Sequence, residues 1–187
     1  MTGRARARLL ELLRENAFER RRVVLASGRE SDFFIDCKQA VLSAEGHAVA
    51  GEAILEAMQG LPSCSAVAGV ELGGCPLASA VALTSFRRGV PLDAIYVRKD
   101  AKEHGSRRVL EGNSRIAAGS TIVLLEDVVT TGGSTLRAVE KLRTCGYELA
   151  GGVALVDRLE GGRDAIEGAR LNFTSLFTRE DFIAPGS

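Results

Sequence analysis

The sequence predicts an α/β domain with a mainly parallel central sheet flanked by helices. The 187 residues are enough for one domain with a substantial core. Short apolar runs alternate with longer helical segments, which is typical of parallel sheets built from strand–helix–strand units. No repeat, linker or low-complexity tract interrupts this alternation. We therefore expect residues 1–187 to form a single domain.

The first part of the chain predicts a small N-terminal unit. Leucines on one stripe predict a helix over residues 4–18. The following VVLASGRESDFFIDCK alternates like two short strands around a Ser-Gly-Arg turn. About the first 40 residues are therefore expected to form a hood over the sheet. A further helix is predicted over residues 44–58, where a Gly-Leu-Pro sequence then ends it.

The rest of the chain predicts the strands and helices of the sheet itself. The predicted strands are apolar runs at residues 66–70, 92–99, 121–129, 149–158 and 171–178. The predicted helices cover residues 76–87 and 134–146. Residues 100–118 are polar and aperiodic and predict a long loop, and long loops inside compact domains are usually functional.

Composition excludes several classes of protein. Lys plus Arg number 24 and Asp plus Glu number 24, so no global field attracts nucleic acid or a membrane surface. The four cysteines form no C-x-x-C pair, which favours reduced thiols over a metal site or disulfides. Neither a signal peptide nor a membrane span is apparent. We expect a cytoplasmic protein that binds neither nucleic acid nor membrane.

The segment VLLEDVVTTGGST, residues 123–135, joins a buried strand to two acids and a glycine-rich turn. Ligands of such sheets bind beyond the carboxyl ends of the strands. Gly132 and Gly133 allow the backbone to approach a ligand, and the N–H groups of the turn suit a phosphate. Glu126 and Asp127 can accept hydrogen bonds from the hydroxyls of a phosphorylated sugar. The alternative is a plain strand–helix turn in which Asp127 is a cap.

This segment resembles the 5-phosphoribosyl-1-pyrophosphate (PRPP) motif of type I phosphoribosyltransferases. The resemblance implies the type I phosphoribosyltransferase fold. A Walker A loop, G-x-x-x-x-G-K-[ST], is absent. The residues that the resemblance implies in PRPP binding here are Glu126, Asp127, Val128, Val129, Thr130, Thr131, Gly132, Gly133 and Ser134.

A second segment, YVRKDAKEHG at residues 96–105, looks like the V-R-K-x-x-K-x-H-G stretch of orotate phosphoribosyltransferases. Residues 98–108 contain five basic residues and two acids, a local excess that suits pyrophosphate. LASGRESDFFIDCK and VAGVELGGCPLASAVA are similar to other stretches of that family, and VDRLE is similar to its D-R-x-E. The likeness covers about residues 20–160.

The resemblance implies that PRPP and orotate give orotidine 5′-monophosphate and pyrophosphate. It implies pyrophosphate contacts from Arg98, Lys99, Lys102 and His104. Catalytic roles fall to Lys102, His104 and Asp127, and orotate contacts to Thr130 and Arg158. Mg²⁺ is the implied cofactor, held mainly by PRPP and water rather than directly by protein. A homodimer is expected in which Lys102 and His104 reach the neighbouring subunit's site.

Three points stay open from the sequence. Phe33 and Phe34 either wall the base pocket or belong to the core. Many family members carry a Lys where this chain has Ala26, so one phosphate contact is either missing or supplied by Arg29 or Lys38. The alternatives in function are a purine or uracil phosphoribosyltransferase and a non-catalytic PRPP-sensing regulator, which would need a DNA-binding module or a basic face.

Overall fold

The computed structural model describes residues 3–24, 30–100 and 108–183. Its strands are β1 (Phe18–Val24), β2 (Glu30–Ile35), β3 (Ala66–Val70), β4 (Asp93–Val97), β5 (Leu110–Glu111), β6 (Thr121–Val129), β7 (Glu148–Asp157) and β8 (Phe173–Thr178). The central sheet has the order β5-β4-β3-β6-β7-β8. Its neighbouring strands are parallel except for the antiparallel pair β4 and β5. The predicted mainly parallel sheet is confirmed.

Helices connect the strands and cover the sheet. They are α1 (Arg4–Asn16), α2 (Lys38–Val41), α3 (Ala44–Ala57), α4 (Gly74–Arg87), α5 (Gly133–Thr144) and α6 (Gly162–Gly168), with short 3₁₀ helices at Met58–Gly60, Asn113–Arg115 and Arg179–Asp181. The short helices α2 and α6 are too brief to leave a periodic pattern in the sequence. Among the residues described, no helix has the length and apolarity that a membrane crossing requires.

The predicted loop over residues 100–118 is wrong in its second half. Leu110 and Glu111 form β5, which pairs with Val97 and Tyr96 of β4. Leu110 is buried in the core on this side of the sheet, and its burial helps to fix this two-residue strand on the sheet edge. A 3₁₀ helix follows it. Residues 101–107 of the predicted loop lie outside the described part of the chain.

Two helix boundaries also differ from the prediction. The first helix ends at Asn16 rather than at residue 18, because Phe18 begins β1 and pairs with Ile35 of β2. The helix predicted over residues 76–87 begins two residues earlier, at Gly74. That shift brings the two glycines of the ELGGC segment to the start of α4, next to the end of β3.

Strand β6 is packed on both faces of the sheet. Val123 and Leu125 belong to the hydrophobic core shared with α1, α3 and α4. Ile122 and Leu124 point to the opposite side and join the core that contains α5 residues. All four side chains are almost completely buried. The carboxyl end of β6 is therefore fixed from both sides, which gives the residues after it a rigid base.

The hood consists of α1 and the antiparallel pair β1–β2, as predicted. Phe33 of β2 packs with Phe18 and Phe182, at ring-centroid distances of 5.2 and 5.8 Å. The Arg6 Nε of α1 donates to the main-chain oxygen of Leu176 at 3.0 Å. These contacts attach the hood to the C-terminal part of the chain and hold β2 above the carboxyl edge of the sheet.

Candidate active site

The turn from β6 into α5 has the geometry of an anion-binding loop. Gly132 has φ = 79°, a left-handed conformation that glycine adopts without a steric penalty. A Cβ on Gly132 would lie only 3.0 Å from the Gly162 carbonyl oxygen. Helix α5 begins at Gly133, and the N–H groups of its first turn lack helical partners. A phosphate at this helix end is favoured by those N–H groups and by the helix dipole.

The residues between the acids and the glycines lie at different depths. Val129 is buried in the core, and its carbonyl oxygen accepts the Arg158 N–H at 2.9 Å. Val128 and Thr130 are half-buried, and Thr131 is exposed. The Val129 side chain therefore serves packing, so that a PRPP contact from this residue can involve only its main chain.

Glu126 is a buried acid with two hydroxyl donors. Its Oε2 accepts hydrogen bonds from Ser134 Oγ at 3.2 Å and Thr135 Oγ1 at 3.4 Å. Burial, and then the charge of the adjacent Asp127, raise the pKa of Glu126 to about 8. The Ser134 hydrogen bond acts in the opposite direction. The hydroxyls of the loop thus contact an acid that is mainly protonated at neutral pH.

Asp127 lies against the backbone of the loop between β3 and α4. A Cβ on Gly73 would be 1.9 Å from Asp127 Oδ2 and 2.1 Å from its Cγ. The next glycine, Gly74, is equally close to the sheet, since a Cβ there would be 2.4 Å from the Leu125 carbonyl oxygen. The two glycines let this loop lie directly on β6. Asp127 is consequently held between its own strand and the β3–α4 loop.

Lys38 is the residue near the acids that could replace the missing family lysine. Its Nζ lies 2.5 Å from Asp36 Oδ1. That hydrogen bond raises the pKa of Lys38, and the charge of Asp127 adds a smaller contribution. Ala26 and Arg29 lie outside the described residues. A phosphate contact from Lys38 therefore stays a prediction.

The basic segment begins directly after β4. Arg98 is half-buried, with its Nη1 3.6 Å from Glu111 Oε1. Lys99 is exposed, and its N–H donates to Glu71 Oε2 at 2.7 Å. Both residues are on the sheet edge that carries Glu126 and Asp127. The predicted catalytic residues Lys102 and His104 lie outside the described part of the chain.

Arg158 occupies the corresponding place after β7. Its guanidinium is largely buried, where Nη2 donates to the Phe33 carbonyl oxygen at 3.3 Å and lies 2.9 Å from Glu160 Oε1. The preceding Asp157 is completely buried, and its Oδ1 accepts the Leu159 N–H at 2.9 Å. This turn fixes the Arg158 backbone at the end of the sheet, and the hood strand β2 lies over its side chain.

The two phenylalanines of β2 face opposite ways. Phe33 has an exposed fraction of 0%, so the core alternative describes its side chain. Phe34 is half-buried on the other face of the strand, with the Arg21 guanidinium carbon 3.8 Å from its ring centroid. Phe34 is therefore the ring of the two that has a surface for a ligand, and its contact with orotate stays a prediction.

Sequence reasoning missed three residues of this edge: Glu71, Gly73 and Lys141. Glu71 and Gly73 belong to the ELGGC segment, in which a glycine pair after a buried strand is a usable signal. Lys141 of α5 donates to the carbonyl oxygens of Arg98 and Lys99, both at 2.7 Å. No signal in the sequence distinguishes Lys141 from other surface lysines.

Comparison with known proteins identifies the family. The phosphoribosyl transferase domain matches residues 51–176. A curated orotate phosphoribosyltransferase of Sorangium cellulosum (strain So ce56) is 65% identical over 178 residues, which are 95% of this chain and 93% of that protein. The chain belongs to the orotate phosphoribosyltransferase family. The resemblance found in the sequence and the predicted enzyme class are thereby confirmed.

Solved structures of this family share the fold. The orotate phosphoribosyltransferase of Mycobacterium tuberculosis H37Rv in complex with Fe(III) dicitrate has a TM-score of 0.82 and 37% identity, covering 96% of this chain and 99% of that one. The same enzyme in complex with PRPP has a TM-score of 0.78 and 34% identity, covering 95% and 98%. The predicted type I phosphoribosyltransferase fold is confirmed by this agreement.

Proposed function

We propose that this chain transfers ribose 5-phosphate from PRPP to N1 of orotate, giving orotidine 5′-monophosphate and pyrophosphate for pyrimidine biosynthesis. The observation that carries the proposal is the juxtaposition of Glu126 and Asp127 with the loop that opens α5. A sugar phosphate needs an anion site and hydroxyl acceptors within one sugar length of each other. The β6–α5 turn provides both.

The two ends of PRPP fit different parts of the edge. The 5′-phosphate takes the N–H groups at the start of α5, where the helix dipole favours negative charge. Asp127 and Glu126 accept hydrogen bonds from the ribose hydroxyls. Arg98 and Lys99, with Lys102 and His104, face the pyrophosphate as cationic groups. The acids near the sugar and the cations near pyrophosphate match the charge distribution of the substrate.

The reaction separates charge, and the residues stabilise that separation. The N1–C1 bond forms while the C1–oxygen bond to pyrophosphate breaks, with inversion at C1 and the electron pair leaving on pyrophosphate. The transition state resembles an oxocarbenium ion. Asp127 places negative charge beside the positive sugar, Glu126 accepts hydrogen bonds from its hydroxyls, and Arg98 and Lys99 stabilise the leaving group. The orotate N1 proton is lost before binding, so no general base is required.

Arg158 and Phe34 fit the base. Orotate is a flat ring with a carboxylate, and the planar fork of a guanidinium suits a carboxylate. Arg158 lies directly after β7 under the hood, where its guanidinium contacts the Phe33 carbonyl oxygen and ring, and Phe34 is the next residue of β2. Thr130, directly after β6, contributes to both the phosphate loop and orotate binding in this proposal. The carboxylate of orotate is the feature that uracil and the purine bases lack.

The donor set fits Mg²⁺ that is bound mainly through substrate. Within residues 3–24, 30–100 and 108–183, no group of three or more His, Cys, Asp or Glu side chains could hold a metal ion. Glu126 and Asp127 supply two carboxylates at most, whereas Mg²⁺ needs six oxygen ligands and retains water readily. Bound with PRPP, Mg²⁺ would supply positive charge to the pyrophosphate oxygens. Cytoplasmic location is part of the same proposal, since these are cytosolic metabolites.

A homodimer is supported by an apolar stripe on α4. Leu83 and Phe86 are exposed on this helix, and Val90 just after it is 71% exposed. Leu72, before the helix, is also exposed. Several large exposed apolar side chains on and next to one helix are typical of a protein interface. The stripe starts beside Gly73, which contacts Asp127, so a second copy there adjoins the active site.

The first experiment tests specificity. A steady-state assay with PRPP, Mg²⁺ and each of orotate, uracil, adenine and hypoxanthine is expected to show turnover with orotate alone, because only orotate offers a carboxylate to Arg158. Product is measured by chromatography of the nucleotide. Turnover of a purine or of uracil without turnover of orotate would refute the proposal and favour the alternative transferase.

The second experiment tests shared sites. Lys102→Ala and Asp127→Asn are each expected to be nearly inactive, because they remove a pyrophosphate contact and a ribose contact. In a heterodimer of the two variants, one site carries both substitutions and the other site is intact. When equal amounts of subunits exchange at random, about half of the dimers are heterodimers, so up to about a quarter of the wild-type activity returns. Activity is followed against the mixing ratio, with each variant mixed with itself as the control. No recovery under confirmed subunit exchange would contradict a shared site.

A further inference from the structure

All four main-chain polar groups of Arg98 and Lys99, two N–H groups and two carbonyl oxygens, make hydrogen bonds. The Arg98 N–H donates to the Val109 carbonyl oxygen at 2.9 Å, and the Lys99 N–H donates to Glu71 Oε2 at 2.7 Å. Both carbonyl oxygens accept from Lys141 Nζ, each at 2.7 Å.

Lys141 belongs to the helix that starts at the phosphate loop. It lies eight residues after Gly133, which corresponds to about 12 Å along α5 at 1.5 Å per residue. One rigid helix therefore carries the predicted 5′-phosphate site at its first turn and the clamp on Arg98 and Lys99 near its last turn. The opposite side of the clamp, Glu71, belongs to the loop whose Gly73 contacts Asp127.

We propose that Lys141 is a positioning residue for the pyrophosphate end of PRPP. It does so by fixing the Arg98–Lys99 backbone relative to the phosphate loop. The distance between the two cationic side chains and the 5′-phosphate site is then constant. This inference rests on the proposed function, in which Arg98 and Lys99 contact pyrophosphate. A lysine suits the task, because an ammonium has three donors at one point and can serve two carbonyl oxygens at once.

A purely structural role makes a different prediction. If Lys141 only stabilised the fold, its loss would lower the melting temperature and weaken all ligands alike. A positioning role acts on one end of the substrate. Ribose 5-phosphate uses the loop and the acids but no pyrophosphate residue, so its binding should not depend on Lys141. Inorganic pyrophosphate uses Arg98 and Lys99, so its binding should.

The experiment compares these two probes by calorimetry on the full chain with MgCl₂. Lys141→Met keeps the length of the side chain and removes its donors. This variant is expected to lower the affinity for pyrophosphate by about 10-fold, since hydrogen bonds from a charged group are lost. Ribose 5-phosphate affinity should stay unchanged. In the steady state, KM for PRPP should rise while KM for orotate stays the same.

Two further variants serve as rescue and control. Lys141→Arg keeps a cation with several donors and is expected to recover most of the pyrophosphate affinity. Arg143→Met removes a cation from the same helix. The Arg143 side chain donates a 3.5 Å hydrogen bond to the Ala169 carbonyl oxygen, so its loss should change the affinity for neither pyrophosphate nor ribose 5-phosphate. Lys141→Gln is too short to serve both carbonyls and gives the same comparison should the methionine variant not fold.

The outcomes separate this inference from the function. Selective weakening of pyrophosphate in Lys141→Met supports positioning. Unchanged pyrophosphate affinity in this variant overturns the positioning role. Equal weakening of the binding of both probes, together with a lower melting temperature, also overturns it. Neither result affects the proposed function, which the wild-type turnover of orotate tests. A wild-type protein that binds neither probe and does not convert orotate overturns the proposed function, and this inference with it.

Discussion

Gly73→Ala is expected to lower kcat/KM for PRPP by roughly 100-fold, the loss that follows when charge-assisted hydrogen bonds to a substrate disappear. The added methyl would lie 1.9 Å from Asp127 Oδ2, so the carboxylate has to move. Gly73 has φ = −67° and ψ = −30°, a helical conformation that alanine also adopts. The effect therefore comes from the displaced acid rather than from the backbone. Steady-state kinetics with varied PRPP measure it.

Two variants calibrate this result. Gly168→Ala adds a methyl at a glycine where a Cβ would meet nothing within 4 Å and where φ is not positive, and it should leave the kinetics unchanged. Asp127→Asn removes the charge but keeps the shape, and should reproduce the loss with an intact fold. Wild-type affinity for PRPP in Gly73→Ala would mean that Asp127 does not need its present position to hold the ribose.

The sequence was sufficient for the parts of the site that are local. Strand β6 was predictable because nine consecutive residues combine an apolar run with acids only near its end. The turn after it was predictable because its glycines lie within six positions of Asp127. In each case the residues that act together are neighbours in the chain, so their spacing alone carries the chemistry.

Contacts between distant segments were not predictable in the same way. Lys141 and Lys99 are 42 residues apart, and only the packing of α5 beside β4 brings them together. The contact of Gly73 with Asp127 depends on β3 and β6 being neighbours in the sheet. A single sequence does not specify strand order, so neither contact has a local signal.

The orientation of β2 shows the same limit. Neighbouring side chains of a strand point to opposite faces, so alternation allows only one of Phe33 and Phe34 to lie in the core. It did not indicate which face is the core. That choice is made by the rings that pack on Phe33, which are Phe18 of β1 and Phe182 at the C-terminal end of the described chain. Phe182 is about 150 residues away in sequence, which is beyond any local pattern.

Glu126→Gln is expected to make the ligand-free protein more stable than the wild type, by a margin that grows as pH rises. The folded state keeps a proton on Glu126 up to about pH 8, because burial and the charge of Asp127 raise its pKa, whereas the unfolded chain releases it near pH 4.5. Between these values the folded state binds more protons than the unfolded state, so wild-type stability falls as pH rises. Glutamine is always neutral, and its amide can still accept from Ser134 and donate to Asp127.

The stability difference should therefore be small at pH 5 and grow to on the order of 3 kcal/mol at pH 8.5. Urea unfolding of both proteins at pH 5, 7 and 8.5 measures it. Glu140→Gln removes an exposed acid from α5 and should show only a small difference at every pH. A stability difference that does not change with pH would mean that Glu126 is ionised in the folded protein and that its burial is not what tunes the site.

The same Glu126→Gln variant should bind PRPP poorly at pH 8.5, where the wild-type Glu126 is ionised and supplies a negative charge beside the ribose that an amide cannot supply. Calorimetry with PRPP and MgCl₂ measures this loss, and Glu140→Gln is again the control. A gain in stability together with a loss of binding would mean that the acid is retained at the end of β6 for the substrate, against the preference of the fold. Undiminished PRPP affinity would instead mean that Asp127 alone binds the ribose hydroxyls.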